Sequence, residues 1–279
     1  MKKISIILLS LLVISSSHSN EISAKVSEYI SNLIPGEGDT EVSIDLRENS
    51  KPDYSILAVR EIEQTEKGNL FTQFSLFNTE KNNDERIVGN LGIGQRFLSE
   101  DKTLMSGLNS FIDVDDAGNL RTSIGIEARS AVVEFAYNQY FGISNAKDEK
   151  VLDGYDLRLA SQIPHLHWAD IFINTYEWEG KDRDDIKGTK LGSELLLTPN
   201  INLELAYDDK DKKGLEDEWY AHIEFVHPPR SGSSLQDGFI NSSTWKKEKD
   251  MTGELLTKVK RNNKIMVEFK GTSTISRTD

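Results

Sequence analysis

NLGIGQRF, residues 90–97, alternates with period two. Leu91, Ile93 and Phe97 point one way; Asn90, Gly92, Gly94 and Arg96 point the other. Successive side chains of a strand leave opposite faces of its sheet, so this strand sets a greasy face against a face of glycines and a charge. A transmembrane β-barrel supplies both environments: hydrocarbon outside, and inside a lumen where small residues leave room for an occupant.

The alternation continues along the chain. Ile124 and Ile126 oppose Arg121, Glu127 and Arg129; Phe135 opposes Glu134; Leu157 and Leu159 oppose Asp156 and Arg158. Leu191 and Leu195 oppose Lys190 and Glu194, Leu203 and Leu205 oppose Glu204, and Ile223 and Phe225 oppose Glu224. A basic or acidic side chain on the lipid side would cost up to ~2–4 kcal/mol near the bilayer midplane. The charged parity, Arg96 included, is therefore assigned to the lumen and the apolar parity, with Leu91 and Ile93, to lipid. The first strands alternate less cleanly, and 54–63 reads either way.

Twelve segments read as strands: 41–47, 54–63, 69–79, 86–98, 103–113, 119–129, 131–141, 153–162, 167–177, 187–197, 200–208 and 217–227. Most are longer than the ~5–6 residues usual in globular sheets. About ten residues at ~3.3 Å, tilted ~40°, rise about 25 Å, the height of an outer-membrane apolar band. Turns alternate as well. Those near 66–69, 99–102, 129–130, 164–167 and 198–200 are short; those at 80–85, 113–118, 142–151, 179–187 and 208–218 are mostly longer and charged. That asymmetry predicts an all-β, twelve-stranded antiparallel up-and-down transmembrane β-barrel, with both chain ends on the short-turn side. Alternation also fits a half-buried sheet, so a soluble exported β-sandwich binding protein stays open.

Outside the strands, MKKISIILLSLLVISSSHSN reads as a secretory signal peptide over 1–19, its apolar run too short to span a bilayer as a helix. Residues 20–40 read as a short periplasmic segment before the barrel at 41–227. After Pro228 the chain is turn-rich, a linker long enough to cross the barrel from end to end, followed by a short helix at 250–260 and a terminal strand. A formal charge of -13 argues against nucleic acid as a partner, and the absence of cysteine removes disulfides and thiolate metal sites.

Chemical motifs are weak. DVDDAGN at 113–119 has Ala117 and Ile124 where a calcium loop needs oxygen ligands. His165 and His167 flank a turn with Asp170 as the nearby carboxylate, too few ligands for zinc. No Gly-x-Ser-x-Gly is present. Neither catalytic, metal nor cofactor site is expected. Tyr137, Tyr140, Phe141, Tyr176, Trp178, Trp219 and Tyr220, near strand ends, read as an interfacial girdle.

FTQFSLFNTEKNNDERIVGNLGIGQRFL, TLMSGLNSFIDVD, NLRTSIGIEARS, VEFAYNQYFGIS, GYDLRLASQIP, NINLELAYDDK and KRNNKIMVEF, in this order and spacing, resemble the inverse autotransporter β-domain, the translocator of intimin and invasin. The resemblance covers most of the chain after the leader. It implies an outer-membrane barrel with a periplasmic N-terminus, whose C-terminal segment threads the lumen and carries an adhesive passenger to the cell surface. By that analogy Pro228 to about Thr252 would fill the lumen, and Val259 to Lys270 would lie at or beyond the outer mouth. The expected partners are outer-membrane lipid, periplasmic chaperones, the barrel-assembly machinery and the chain's own tail. No passenger is visible in the residues after Lys270, so a passenger-less pore or structural barrel, plugged by its tail, stays open beside export.

Overall fold

The computed structural model describes residues 34–48, 50–81, 84–211, 216–246 and 250–269. The expected leader and everything from residue 270 on lie outside them. The strands are Thr40–Arg47 (β1), Asp53–Thr65 (β2), Gly68–Lys81 (β3), Asp84–Leu98 (β4), Leu104–Asp115 (β5), Leu120–Ser130 (β6), Val133–Ser144 (β7), Glu149–Val151 (β8), Gly154–Ile163 (β9), Leu166–Trp178 (β10), Ile186–Thr198 (β11), Ile201–Lys210 (β12), Glu218–His227 (β13) and Val267–Phe269 (β14).

All but β8 and β14 form one closed antiparallel barrel of sequential hairpins. β1 closes it by pairing with β13, from Thr40 opposite His227 to Arg47 opposite Tyr220. Closure satisfies both edges of a sheet that would otherwise expose unpaired backbone. It also overturns the β-sandwich alternative, which needs two sheets rather than one.

The period-two pattern sets the two faces. β5 alternates exposed and buried without a break from Leu104 to Asp115. On β4, Leu91 is 61% exposed whereas Arg96 is fully buried. The interior is not one hydrocarbon core. Small apolar clusters, such as Leu57, Val59, Phe71, Phe111 and Val259, sit between charged layers.

Three expectations are corrected. The turn expected at 80–85 is shortened, because β3 runs to Lys81 and β4 begins at Asp84 and the two pair as one long hairpin. The loop at 142–151 contains β8, which pairs with β14; three residues with a distant partner leave no local periodic signal. The helix expected over 250–260 is only a 3₁₀ turn, Met251–Glu254, capped by Asp250 accepting from the Thr252 N–H. Beyond it the backbone carbonyls are claimed by the barrel wall, as the next section describes.

Candidate functional site: the polar interior and its enclosed segment

Residues 255–264 run along the inside of the barrel. They begin at the short-turn end, where Asn69 Nδ2 donates to the Leu255 carbonyl (3.0 Å). They finish at the longer-loop end, where Lys264 meets Asp53 (2.8 Å). The side chains that hold them come from strands around the circumference.

One wall supplies hydrogen-bond donors. Arg96 Nη1 donates to the carbonyls of Leu255 (2.8 Å) and Thr257 (2.7 Å). Arg129 donates to Thr257 Oγ1 and to the Lys258 carbonyl, both at 2.8 Å. Arg121 reaches the carbonyls of Asn262 (2.7 Å) and Lys264 (2.8 Å). Asn138 and Asn90 take those of Lys260 (2.9 Å) and Asn263 (3.0 Å). These cations are oriented by wall carboxylates: Arg96 by Glu127 (2.7 Å), Arg121 by Asp113 (2.8 Å). Buried guanidinium groups are tolerable only when paired and hydrogen-bonded, as here.

The other wall supplies carboxylates. Lys258 bonds Glu224 and Glu41, Lys260 bonds Glu194, and Lys264 bonds Asp53. Arg261, one step out of phase with Lys258 and Lys260, turns to Asp113 on β5 (2.8 Å) and lies 4.1 Å over the Phe111 ring.

The glycines of the opening stretch have a specific use here. A Cβ on Gly92 would stand 2.3 Å from the Phe111 ring, and one on Gly94 2.4 Å from Phe71. Both rings reach into the space that the glycines leave and carry cations on their faces, Arg261 on Phe111 and Arg96 on Phe71 at 4.4 Å.

Of the charged residues assigned to the lumen, Arg96, Arg121, Glu127, Arg129, Asp156, Arg158 and Glu224 are buried. Glu134, Lys190, Glu194 and Glu204 are half-buried. Glu134, Glu194 and Glu204 gather around Arg158, which sits 3.6 Å over Phe172. Lys190 faces the Tyr220 ring across a residual cavity of about 210 Å³. Of the lipid-assigned residues, Leu91, Ile93, Ile124, Ile126 and Leu191 are exposed on the outer face. Phe135, Leu195, Leu205, Ile223 and Phe225 are half-buried.

Leu203 departs from its assignment. Its register places it on the outer face, yet it is only 6% exposed. Leu195 and Ile223 stand directly opposite it on the two neighbouring strands, close enough for bulky side chains to shield it.

The girdle is also corrected. Trp219 and Phe141 are exposed on the outer face. Tyr140, Tyr176, Trp178 and Tyr220 turn inward; Tyr140 donates to Asp156 (2.6 Å) and Tyr220 to Asp45 (3.1 Å). Strand-end position gave their height, and their parity gave their side.

The threading is shifted relative to the expectation for 228–252. Residues in that stretch bond to the short turns: Arg230 N to the Pro199 carbonyl (2.8 Å), Asn241 N to the His165 carbonyl (2.8 Å), Met251 N to the Lys102 carbonyl (2.9 Å). Val259, expected at or beyond the outer mouth, is instead packed deep inside against Leu57, Phe71 and Phe111. At the longer-loop end β14 sits on β8, with Ile265 and Val267 packed against Phe77, Val88 and Val151.

Asp113 and Asp53 were not among the assigned lumen residues. Parity could have found Asp113, one step past outward Ile112; Asp53 stood outside its expected strand. The aspartates of 113–119 build a turn, with Asp115 Oδ1 accepting from the N–H groups of Ala117 (3.2 Å) and Asn119 (2.9 Å).

Similar folds are known. A membrane protein solved in a study of in-meso crystallization aligns with a TM-score of 0.62 at 19% identity, over 83% of this chain and 100% of that chain. The KdgM porin aligns at 0.46 and 6% identity, over 67% of this chain and 98% of the porin. The NanC porin aligns at 0.45 and 11% identity, with the same coverage. No curated protein matches the chain. The model of the inverse autotransporter beta-domain matches residues 9–263, and the chain, an outer-membrane β-barrel, belongs to that family.

Proposed function

We propose that this barrel is a translocator that anchors the chain in the outer membrane and conducts the segment after β13 through its lumen to the cell surface. The N-terminus and short turns face the periplasm, and the longer loops face outward. The observation that carries this reading is the run of residues 255–264, free of helix and strand, bonded along its backbone by Arg96, Arg129 and Arg121 from one end of the lumen to the other. It starts at the end where β1 begins and β13 finishes, so the chain turns back into its own barrel. The work is transport and anchoring rather than catalysis. Folding draws on periplasmic chaperones and the barrel-assembly machinery, and an adhesive role belongs to whatever the exported segment carries.

An epitope tag after Asp279 tests the proposal. Antibody or protease should reach it on intact cells, and a tag accessible only after the outer membrane is broken would refute export. One observation favours a second reading, a barrel plugged by its own tail: the cations of the segment are each held in a buried or half-buried ion pair, the arrangement of a resident rather than a passer-by. A tag inaccessible from outside, on a barrel that still excludes solutes, would select it.

A further inference from the structure

The ion pairs inside the lumen repeat one motif. Asp53, Asp113, Glu194 and Glu224 each hold at least two cations; Glu224 also meets His222 and shares Arg230 and Lys258 with Glu41. One comes from the wall or rim: Arg47, Arg121, Arg158 and Arg230 respectively. Another comes from the enclosed segment: Lys264, Arg261, Lys260 and Lys258. Wall cations alone leave these carboxylates with further acceptor capacity, and the segment's K-V-K-R-N-N-K pattern fills it. The carbonyls of the segment meanwhile fill the donors of Arg96, Arg121 and Arg129.

We infer that the lumen is a peptide-binding track, selective for an extended segment with cations at positions 258, 260, 261 and 264 and an apolar residue at 259. This rests on the reading that the segment occupies the lumen, and it names what kind of segment the lumen accepts. Charge and period act together. In an extended chain Lys258 and Lys260 share a side and face the carboxylates of β13, β1 and β11, while Val259 and Arg261 face Phe111. A slip of one residue would send Val259 to the carboxylates and the lysines to the aromatic cluster. The track therefore fixes register as well as composition.

The test uses the full chain, reconstituted in planar bilayers, with ion conductance reporting an emptied lumen. Lys260→Glu sets two carboxylates against each other at Glu194. Open events should become about a hundredfold more frequent, the scale of breaking a buried ion pair. Lys260→Arg keeps a cation at Glu194, with Arg158, Glu134 and Glu204 in place, and should hold closure to within about threefold of the parent. A heat-modifiable band confirms that each variant folds; where Lys260→Glu fails to fold, Lys260→Gln replaces it, with a smaller rise expected. The inference is overturned if folded Lys260→Glu stays as closed as the parent, or if Lys260→Arg leaves the lumen as open as Lys260→Glu does. The tag after Asp279 separates the two ideas: a parent chain with an inaccessible tag but charge-dependent closure refutes export and keeps the track.

Discussion

A single methyl group at Gly92 probes why the inner face of β4 is glycine. That methyl carbon would stand 2.3 Å from Phe111. Carbon atoms rest at ~3.5–4.0 Å, so the ring must retreat by about 1.2 Å or more. It has nowhere to go: Phe111 is 1% exposed, packed on Leu57, Val59, Phe71 and Val259, with Arg261 4.1 Å above its face. Overpacking of this kind costs about 1–3 kcal/mol. Displacing a desolvated cation from a ring forfeits part of a further ~2 kcal/mol. Gly92→Ala should therefore destabilise the barrel by about 2–4 kcal/mol, read as a lowered urea midpoint for loss of the heat-modifiable band in liposomes. Gly89→Ala is the internal control, since on the same strand its added Cβ meets nothing nearer than Val114 Cγ1 at 3.8 Å; its midpoint should barely move. Phe111→Ala alone costs about 3–5 kcal/mol. With the ring gone, Gly92→Ala should add almost nothing, so the coupling in the cycle nearly equals its own cost. Equal effects of Gly92→Ala with and without the ring, or a Gly92→Ala as harmless as Gly89→Ala, would refute the steric account.

Other perturbations check separate parts of the structure. Ile93→Arg puts a charge on the outer face at a position 51% exposed, and should cost up to ~2–4 kcal/mol in the same urea assay if that face meets hydrocarbon; an unmoved midpoint would remove residue 93 from lipid. The chain has no cysteine, so single cysteines report access cleanly: Val259→Cys, at a 3% exposed site, should resist a water-soluble maleimide that labels Ile240→Cys, at a 72% exposed site, and equal rates would mean that the interior is not closed around residue 259. Asp39, just before β1, has its carboxyl pushed up to about 7 by burial, with Glu41, Glu254 and Glu224 adding to the effect and Arg230 opposing it. The folded state thus holds this proton more tightly than the unfolded chain does; its stabilisation is complete below the unfolded value of ~3.9 and is lost as pH rises through about 7. The parent should lose stability between about pH 4 and 7 in a way that Asp39→Asn does not, and parallel pH profiles would count against it.

How legible this structure was depends on the range over which each feature is encoded. Strands are local: the long alternating runs placed all the barrel strands to within a few residues, because a sheet with unlike faces writes its period into every segment. The side on which Arg96, Arg121 or Leu91 lies follows from the same parity. What alternation does not carry is the identity of the occupant. Lys258 and Lys260 read as the polar residues of a short helix, and Arg261 as the residue just after it, until Glu224, Glu194 and Asp113, distant in sequence, are brought beside them. Leu203 was misjudged for a related reason: parity fixes the face, while shielding depends on Leu195 and Ile223 across two ladders. β8 is set by Val267 and Phe269, so three residues of a loop hold no record of it alone.

That the enclosed segment is unwound beyond the turn at 255–256 follows from the chemistry of the wall. Arg96 and Arg121 are fully buried, so their donors must be matched by acceptors at the right heights. An α-helix spends its carbonyls on its own N–H groups and offers free acceptors only in its last turn. An extended chain offers one at every residue, and the wall uses those of Leu255, Thr257, Lys258, Lys260, Asn262, Asn263 and Lys264. Length gives the same answer. Ten residues in helical form rise ~15 Å, well short of the ~25 Å apolar band, whereas ten extended residues reach ~33 Å and cross it. A helix in this lumen would leave buried guanidinium groups without partners and the far half of the pore unfilled. The helix-like run TGELLTKVKR is therefore held open by the barrel, and its short 3₁₀ turn ends at Glu254, next to Leu255, where Arg96 takes the first carbonyl.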